Sequence, residues 1–146
     1  DTVFKSIHLS KNAQEFISIL QKKGILVGLV SGGFAPIVER LAKSLGITYY
    51  SANQLEVKDG FLTGRLVGEI MTGQVKKATL ERWRKELELP KERTIAIGDG
   101  ANDLLMLKTA GHGIAFCAKE VVKTEIACHV DTRDFLEVLP LIDFLE

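Results

Sequence analysis

Short apolar runs alternate with segments of helical periodicity along this chain. Residues 25–30 and 94–97 are apolar-rich runs without polar alternation, which is typical of strands buried on both faces of a parallel sheet. Shorter runs of similar character predict further strands at 47–50, 113–116 and 126–130. Apolar residues spaced three and four apart predict helices at 13–20, 36–45, 74–89, 104–107 and 135–145.

One segment has a different pattern. Between 55 and 67, two runs that contain apolar residues flank Asp59-Gly60. An Asp-Gly pair between such runs favours a tight turn in which both residues adopt positive φ. The sequence therefore predicts a β-hairpin here.

The order of elements predicts the fold class. Strands that alternate with helices indicate an α/β fold with a mostly parallel sheet and helices on both faces, with the hairpin added to it. The chain has no internal repeat, low-complexity tract or linker. We expect residues 1–146 to form a single core domain.

Composition and charge narrow the range of possible functions. The 146 residues are 46% apolar, enough for a folded core, and 19 basic residues balance 19 acidic ones. This balance argues against nucleic acid or an anionic membrane surface as a partner, and no apolar run approaches the roughly 20 residues that span a bilayer. Cys117 and Cys128 are the only cysteines, and we expect both to be reduced in a cytoplasmic protein.

Two polar stretches follow predicted buried strands, at the end of a sheet where α/β proteins bind ligands. The first is Ser31-Gly32-Gly33, just before a predicted helix. A hydroxyl and successive backbone N–H groups at a helix start favour an anion such as phosphate. On these residues alone, a glycine turn whose serine caps the helix explains the pattern equally well.

The second stretch runs from Gly98 to Asp103 and places Asp99 and Asp103 four residues apart in a glycine-rich turn. Carboxylate oxygens are the ligands that Mg²⁺ prefers. A turn that only caps the next helix is a comparable alternative. A third candidate is Lys77, which could offset the charge of a phosphate, although most lysines are solvated and Lys76 lies beside it.

Three stretches together resemble the phosphoserine phosphatases of the haloacid dehalogenase superfamily. They are LVSGGF at 29–34, ANQLEVKDGFLTG at 52–64 and IGDGANDLLMLKTAGHGIAF at 97–116. The resemblance extends from about Ile7 to beyond Ala118. It implies a Rossmann-like core and a Mg²⁺-dependent phosphomonoesterase that acts on phosphoserine.

The resemblance also implies roles for individual residues. Ser31 and the N–H of Gly32 would bind phosphate, and Lys77 rather than Lys76 would contact it from the start of a helix. Asp99 would bind Mg²⁺. Asn102 and Asp103 match polar positions that support the phosphate and the metal, so that Asn102 would help bind phosphate while Asp103, with Lys77, would be a catalytic residue.

The chain departs from the family in one respect that matters for chemistry. Members of this family carry an Asp-x-Asp-x-Thr motif that ends their first strand, followed by a small helical cap, and the 146 residues contain no such motif. The first aspartate of that motif is the nucleophile and the second is the general acid/base. We expect both to come from a missing N-terminal segment or a partner chain, which would also supply a central strand between those ending at Ser31 and Asp99.

This departure leaves alternatives open. The chain without those groups is expected to be inactive. A non-catalytic phosphate-binding or regulatory relative fits the same motifs. So does a phosphotransferase or a phosphatase for another small phosphorylated metabolite, because the cap that selects the substrate is absent.

Overall fold

A computed structural model of the chain describes residues 12–67 and 72–145. The start of the family resemblance, at Ile7, lies outside the described residues. The described residues form two compact units. Unit A contains 17–67, and unit B contains 12–16 together with 72–145.

The elements of the first half of the chain are α1 (Ala13–Lys22), β1 (Gly28–Phe34), α2 (Ala35–Ser44), β2 (Tyr49–Lys58) and β3 (Phe61–Val67). The strands form a three-stranded sheet in the order β1-β2-β3, in which β1 and β2 are parallel and β2 and β3 are antiparallel. Its core is a small cluster around Ala42, Leu45 and Ile47. Pro36 lies in the first turn of α2, where its fixed φ suits helix entry.

Strand β1 differs from the prediction at both ends and in its burial. The predicted strand was 25–30, buried on both faces, whereas the observed strand runs through Ser31-Gly32-Gly33 to Phe34. None of its residues is fully buried. Among the described strands β1 pairs with β2 alone, so one of its two edges has no neighbour among the residues that the structure describes.

The predicted hairpin is confirmed. Asp59 and Gly60 have φ values of 52° and 82°, as a two-residue type I′ turn requires, and β2 pairs with β3 across it. The separate strand predicted at 47–50 is instead the beginning of β2, which is continuous from Tyr49 to Lys58. Its first half pairs with β1 and its second half with β3.

The second half of the chain forms a parallel sheet with helices. Its elements are α3 (Gly73–Glu86), β4 (Ile95–Gly98), α4 (Leu104–Thr109), β5 (His112–Phe116), α5 (Glu120–Glu125) and β6 (Cys128–Val130). The strand order is β4-β5-β6, and both pairings are parallel. The core lies between this sheet and its helices, and it includes Ala96, Leu107, Ala115 and Val122.

Unit B differs from the prediction in two details, the presence of α5 and the type of its last helix. The helix α5 carries too short an apolar pattern to stand out in the sequence. The segment Phe135–Leu145, predicted as a helix, is a 3₁₀-helix that contains Pro140, whose ring removes one backbone donor.

Both cysteines are free; Cys117 is partly buried and Cys128 is exposed. Among the described residues, no helix is both long and apolar enough to cross a membrane.

Candidate active site

The loop after β4 is organised around one buried carboxylate. Asp103 ends a short 3₁₀ turn (Ala101–Asp103) at the start of α4 and is 6% exposed. Its side chain turns back over the loop, and its Oδ2 accepts hydrogen bonds from the N–H groups of Asp99 and Gly100, both at 3.1 Å. Asp103 therefore fixes the backbone that carries Asp99.

A glycine at the end of β4 makes this arrangement possible. A Cβ atom at Gly98 would lie 2.6 Å from the Cβ of Asp103, closer than two carbon atoms that are not bonded to each other can approach. The missing side chain lets the Asp103 carboxyl group lie against the strand end. Close packing against Asp103 therefore explains why residue 98, just before the acidic loop, is a glycine.

The second oxygen of Asp103 binds a lysine from α3. The Nζ of Lys76 lies 2.6 Å from Asp103 Oδ1, and the two side chains are only 8% and 9% exposed. Thr72 caps the start of this helix, since its hydroxyl accepts the N–H of Val75. A buried charge is costly unless it is paired, and here each partner offsets the charge of the other.

The environment of Asp103 lowers its pKa. Burial acts in the opposite direction, because it disfavours the charged form and raises the pKa. The hydrogen bonds from Lys76 and from the N–H groups of Gly100 and Asp99, together with the Lys76 charge, outweigh burial and hold the pKa below its usual range. Asp103 is therefore a carboxylate at neutral pH.

The structure brings Lys76, not Lys77, to the acidic loop. Lys77 is exposed on α3, whereas Lys76 is buried like Thr79 three residues further on. Residues three or four apart share a helix face, and Leu80 packs against the unit B core on that same face. This periodicity is the signal in the sequence that could have favoured Lys76.

Asp99 and Asn102 lie in the same loop as Asp103, and both are exposed. The described residues contain no group of three or more side chains that could hold a metal ion. Mg²⁺, however, is often bound by one or two carboxylates and completed by water and phosphate oxygens. Asp99, with an exposed carboxylate on a fixed backbone, fits the protein's share of such a site.

The predicted anion-binding turn lies in unit A. Ser31 is half-buried, Gly32 and Gly33 are exposed, and the N–H of Gly33 donates to the hydroxyl of Ser31 at 2.9 Å. A Cβ atom at Gly32 would meet no atom within 4 Å, so open space borders this residue. The turn can therefore be approached by a ligand.

A residue outside the turn, which the sequence did not predict, also contacts it. Asn53 on β2 is 7% exposed, and its side-chain Nδ2 donates to the carbonyl of Gly32 at 2.9 Å. Asn53 lies within the family-like stretch 52–64. The sequence gives no local signal for this contact, because Asn53 and Gly32 lie 21 positions apart.

Comparison with known proteins identifies the family. The model for haloacid dehalogenase-like hydrolases matches residues 1–108. The chain therefore belongs to the haloacid dehalogenase-like hydrolase family, which confirms the predicted α/β fold class.

Within that family the chain is similar to phosphoserine phosphatases. It is 50% identical to the phosphoserine phosphatase of Streptococcus thermophilus over 143 residues, which covers 98% of this chain and 66% of that protein. The Lactococcus lactis phosphoserine phosphatase is 48% identical over 145 residues, covering 99% of this chain and 67% of the relative. The chain thus spans about two thirds of the length of these relatives.

Two solved structures of phosphoserine phosphatases also resemble this chain. A substrate-bound phosphoserine phosphatase complex superposes with a TM-score of 0.91 at 41% identity, and the match covers 97% of this chain and 68% of that one. A phospho-aspartyl intermediate analogue of phosphoserine phosphatase has a TM-score of 0.90 at 41% identity.

Proposed function

We propose that this chain provides the phosphate-binding and Mg²⁺-binding residues of a phosphoserine phosphatase, which hydrolyses phosphoserine to serine and phosphate in the cytoplasm. The observation that carries the proposal is the buried Lys76–Asp103 pair, which holds the acidic loop so that the Asp99 carboxylate is presented beyond the end of a parallel strand. Phosphoserine is named as substrate on the strength of similar proteins with that activity.

Each unit contributes its own groups to this function. In unit A, the hydroxyl of Ser31 and the N–H of Gly32 would donate hydrogen bonds to phosphoryl oxygens. In unit B, Asp99 would hold Mg²⁺, which supplies charge neutralisation at the phosphoryl group. Asn102 would support the phosphate from the same loop.

Lys76 takes over the role that the family resemblance assigned to Lys77. An ammonium group has three N–H donors, and the bond to Asp103 uses one of them. Asp103 acts as a positioning residue, since its two oxygens bind Lys76 and the backbone of its own loop. In this arrangement Asp103 aligns the groups that touch substrate and does not itself act on phosphorus.

The nucleophile is outside this set of residues. No Asp-x-Asp-x-Thr motif occurs in the 146 residues, and none of the roles proposed for Ser31, Lys76 and Asp99 is that of a nucleophile. The proposal therefore requires an aspartate from a further segment or a partner chain.

Phosphate release from phosphoserine tests the proposal. Two preparations are compared at millimolar Mg²⁺: the 146 residues alone, and the same chain joined at its N-terminus to a segment that carries Asp-x-Asp-x-Thr. We expect turnover only from the extended chain, and we expect chelation of Mg²⁺ to abolish it.

A matched pair of substitutions assigns the lysine. In the extended chain, Lys76→Met should lower kcat/KM at least a hundredfold, the effect of losing a charged group from a phosphoryl-transfer site, while Lys77→Met leaves it within about twofold. Hydrolysis of phosphoserine by neither preparation, with phosphate still bound in the presence of Mg²⁺, would favour a non-catalytic phosphate-binding relative. Faster hydrolysis of another phosphomonoester would show that phosphoserine is not the preferred substrate, and the proposed phosphatase activity would stand.

A further inference from the structure

The turn that contains Ser31 is a bulge in the β1–β2 ladder. Val30 pairs with Ser51 and Phe34 pairs with Asn53. Three residues of β1, namely 31–33, therefore lie opposite a single residue of β2. Two extra residues in one strand leave backbone groups without ladder partners, so another group must hold the bulge in place.

Two hydrogen bonds hold one peptide unit of this bulge from both ends. The unit between Gly32 and Gly33 contains the carbonyl of Gly32 and the N–H of Gly33. The carbonyl accepts from the buried side chain of Asn53, and the N–H donates to the hydroxyl of Ser31, both at 2.9 Å. In a trans peptide these two groups point in opposite directions, so fixing one end fixes the other.

This arrangement sets the orientation of the Ser31 hydroxyl. Because the Ser31 oxygen accepts from the Gly33 N–H, its own hydrogen is left to donate elsewhere. Hydrogen bonds in a chain also polarise one another, which makes the last donor stronger. A hydroxyl held in this way is a preorganised donor for an anionic oxygen.

We propose that Asn53 is a positioning residue for phosphate binding, acting through the Gly32–Gly33 peptide unit on the hydroxyl of Ser31. This inference rests on the proposed function, which gives Ser31 its phosphate. Asn53 touches no ligand in this scheme. Its amide group makes the phosphate-binding turn rigid before the ligand arrives.

Phosphate affinity of substituted chains tests this role. The dissociation constant of inorganic phosphate is measured by calorimetry at fixed Mg²⁺ for the 146-residue chain and its variants. Asn53→Ala should weaken phosphate binding about tenfold, because the Ser31 hydroxyl then loses the orientation in which it donates to the charged phosphate.

Gln21 provides the matched control. Its side-chain amide also donates to backbone carbonyls of unit A, but to those of Leu45 and Gly46, at 3.2 and 3.1 Å, and not to the bulge. Gln21→Ala should leave the phosphate dissociation constant within about twofold. Equal weakening by both alanine substitutions would show a general loss of stability and overturn the inference.

A double-mutant cycle separates positioning from a purely structural role. If Asn53 acts through Ser31, then Asn53→Ala should have no further effect on phosphate affinity once Ser31→Ala is present. Additive losses would mean that Asn53 acts by another route and would overturn the inference, while leaving the proposed function intact. No effect of Ser31→Ala on phosphate affinity would overturn the proposed function of this turn, and the inference with it.

A measurement on the unsubstituted protein does not depend on variants that fold. In an NMR titration with inorganic phosphate, the side-chain amide signals of Asn53 and the backbone N–H signal of Gly33 should shift together with the same midpoint. The side-chain amide signals of Gln21 should stay in place. Unchanged Asn53 and Gly33 signals at saturating phosphate would contradict the inference.

Discussion

Lys76 and Lys77 are neighbours in sequence with opposite environments, and this contrast makes a prediction for stability. Lys76→Met removes the positive charge beside the buried Asp103 carboxylate and leaves that carboxylate uncompensated. Such a loss costs about 3 kcal/mol of the free energy of unfolding. Urea denaturation at pH 7 measures it.

The control is Lys77→Met, which removes an equal charge from an exposed position of the same helix. Its effect on the free energy of unfolding should lie within about 0.5 kcal/mol. If the two substitutions destabilise the chain equally, the Lys76–Asp103 pair does not hold the acidic loop.

Gly32 allows a second prediction at the level of a single residue. Its φ lies outside the left-handed region and a Cβ atom there meets open space, so Gly32→Ala should change the free energy of unfolding by no more than about 0.5 kcal/mol. The added methyl group would nevertheless obstruct an anion that approaches the Gly32 N–H. We expect phosphate affinity to fall about tenfold, as measured by calorimetry. Unchanged phosphate affinity would show that the N–H of Gly32 does not bind the anion.

At the scale of elements, the hairpin of β2 and β3 depends on its turn residues. Gly60 has a φ of 82°, which side chains other than glycine adopt at a cost of about 1–2 kcal/mol. Gly60→Ala should lower the free energy of unfolding by that amount. Gly32→Ala is the control, since it adds the same methyl group without positive φ. Equal stability of the two variants would mean that the turn is not in the type I′ conformation.

The elements also show what the sequence could and could not predict. Asp59-Gly60 predicted the hairpin correctly because a two-residue turn is a local property of two residues. The predicted burial and the predicted end of β1 were wrong, because both depend on contacts with other parts of the chain, which the apolar content of one run does not determine. The contact of Lys76 with Asp103 joins residues 27 positions apart, so neither the motif resemblance nor the local pattern predicted it.

At the scale of the whole molecule, stability in acid is the property most directly tied to the candidate site. The pKa of Asp103 is lowered in the folded chain, whereas in the unfolded chain it takes the ordinary value of an aspartate. A carboxyl group with a depressed folded pKa contributes stability that is fully present above its unfolded pKa. That contribution is lost as the pH falls through the folded pKa.

Among the described residues, the other two groups with shifted pKa values, Glu81 and Lys123, have little influence on the loss of stability in acid. Glu81 also has a lowered pKa, owing first to its hydrogen bond from Arg84, but the pair is partly exposed on one helix and contributes only about 0.3 kcal/mol. Lys123 has a raised pKa because of its hydrogen bond to Asp131. Its contribution is present below its unfolded pKa and is lost only as the pH rises through the folded value, far from the acid range.

The urea midpoint of the chain should therefore decline as the pH is lowered from about 5 toward 2, and much of that decline should belong to Asp103. Asp103→Asn should be less stable at pH 7 and should show a flatter profile in acid, because the amide cannot gain the proton. Glu81→Gln should retain the slope of the unsubstituted chain. An acid limb that is equally steep in Asp103→Asn would show that the Asp103 carboxyl is not stabilised by Lys76 and the loop N–H groups, and the geometry proposed for the candidate site would then be wrong.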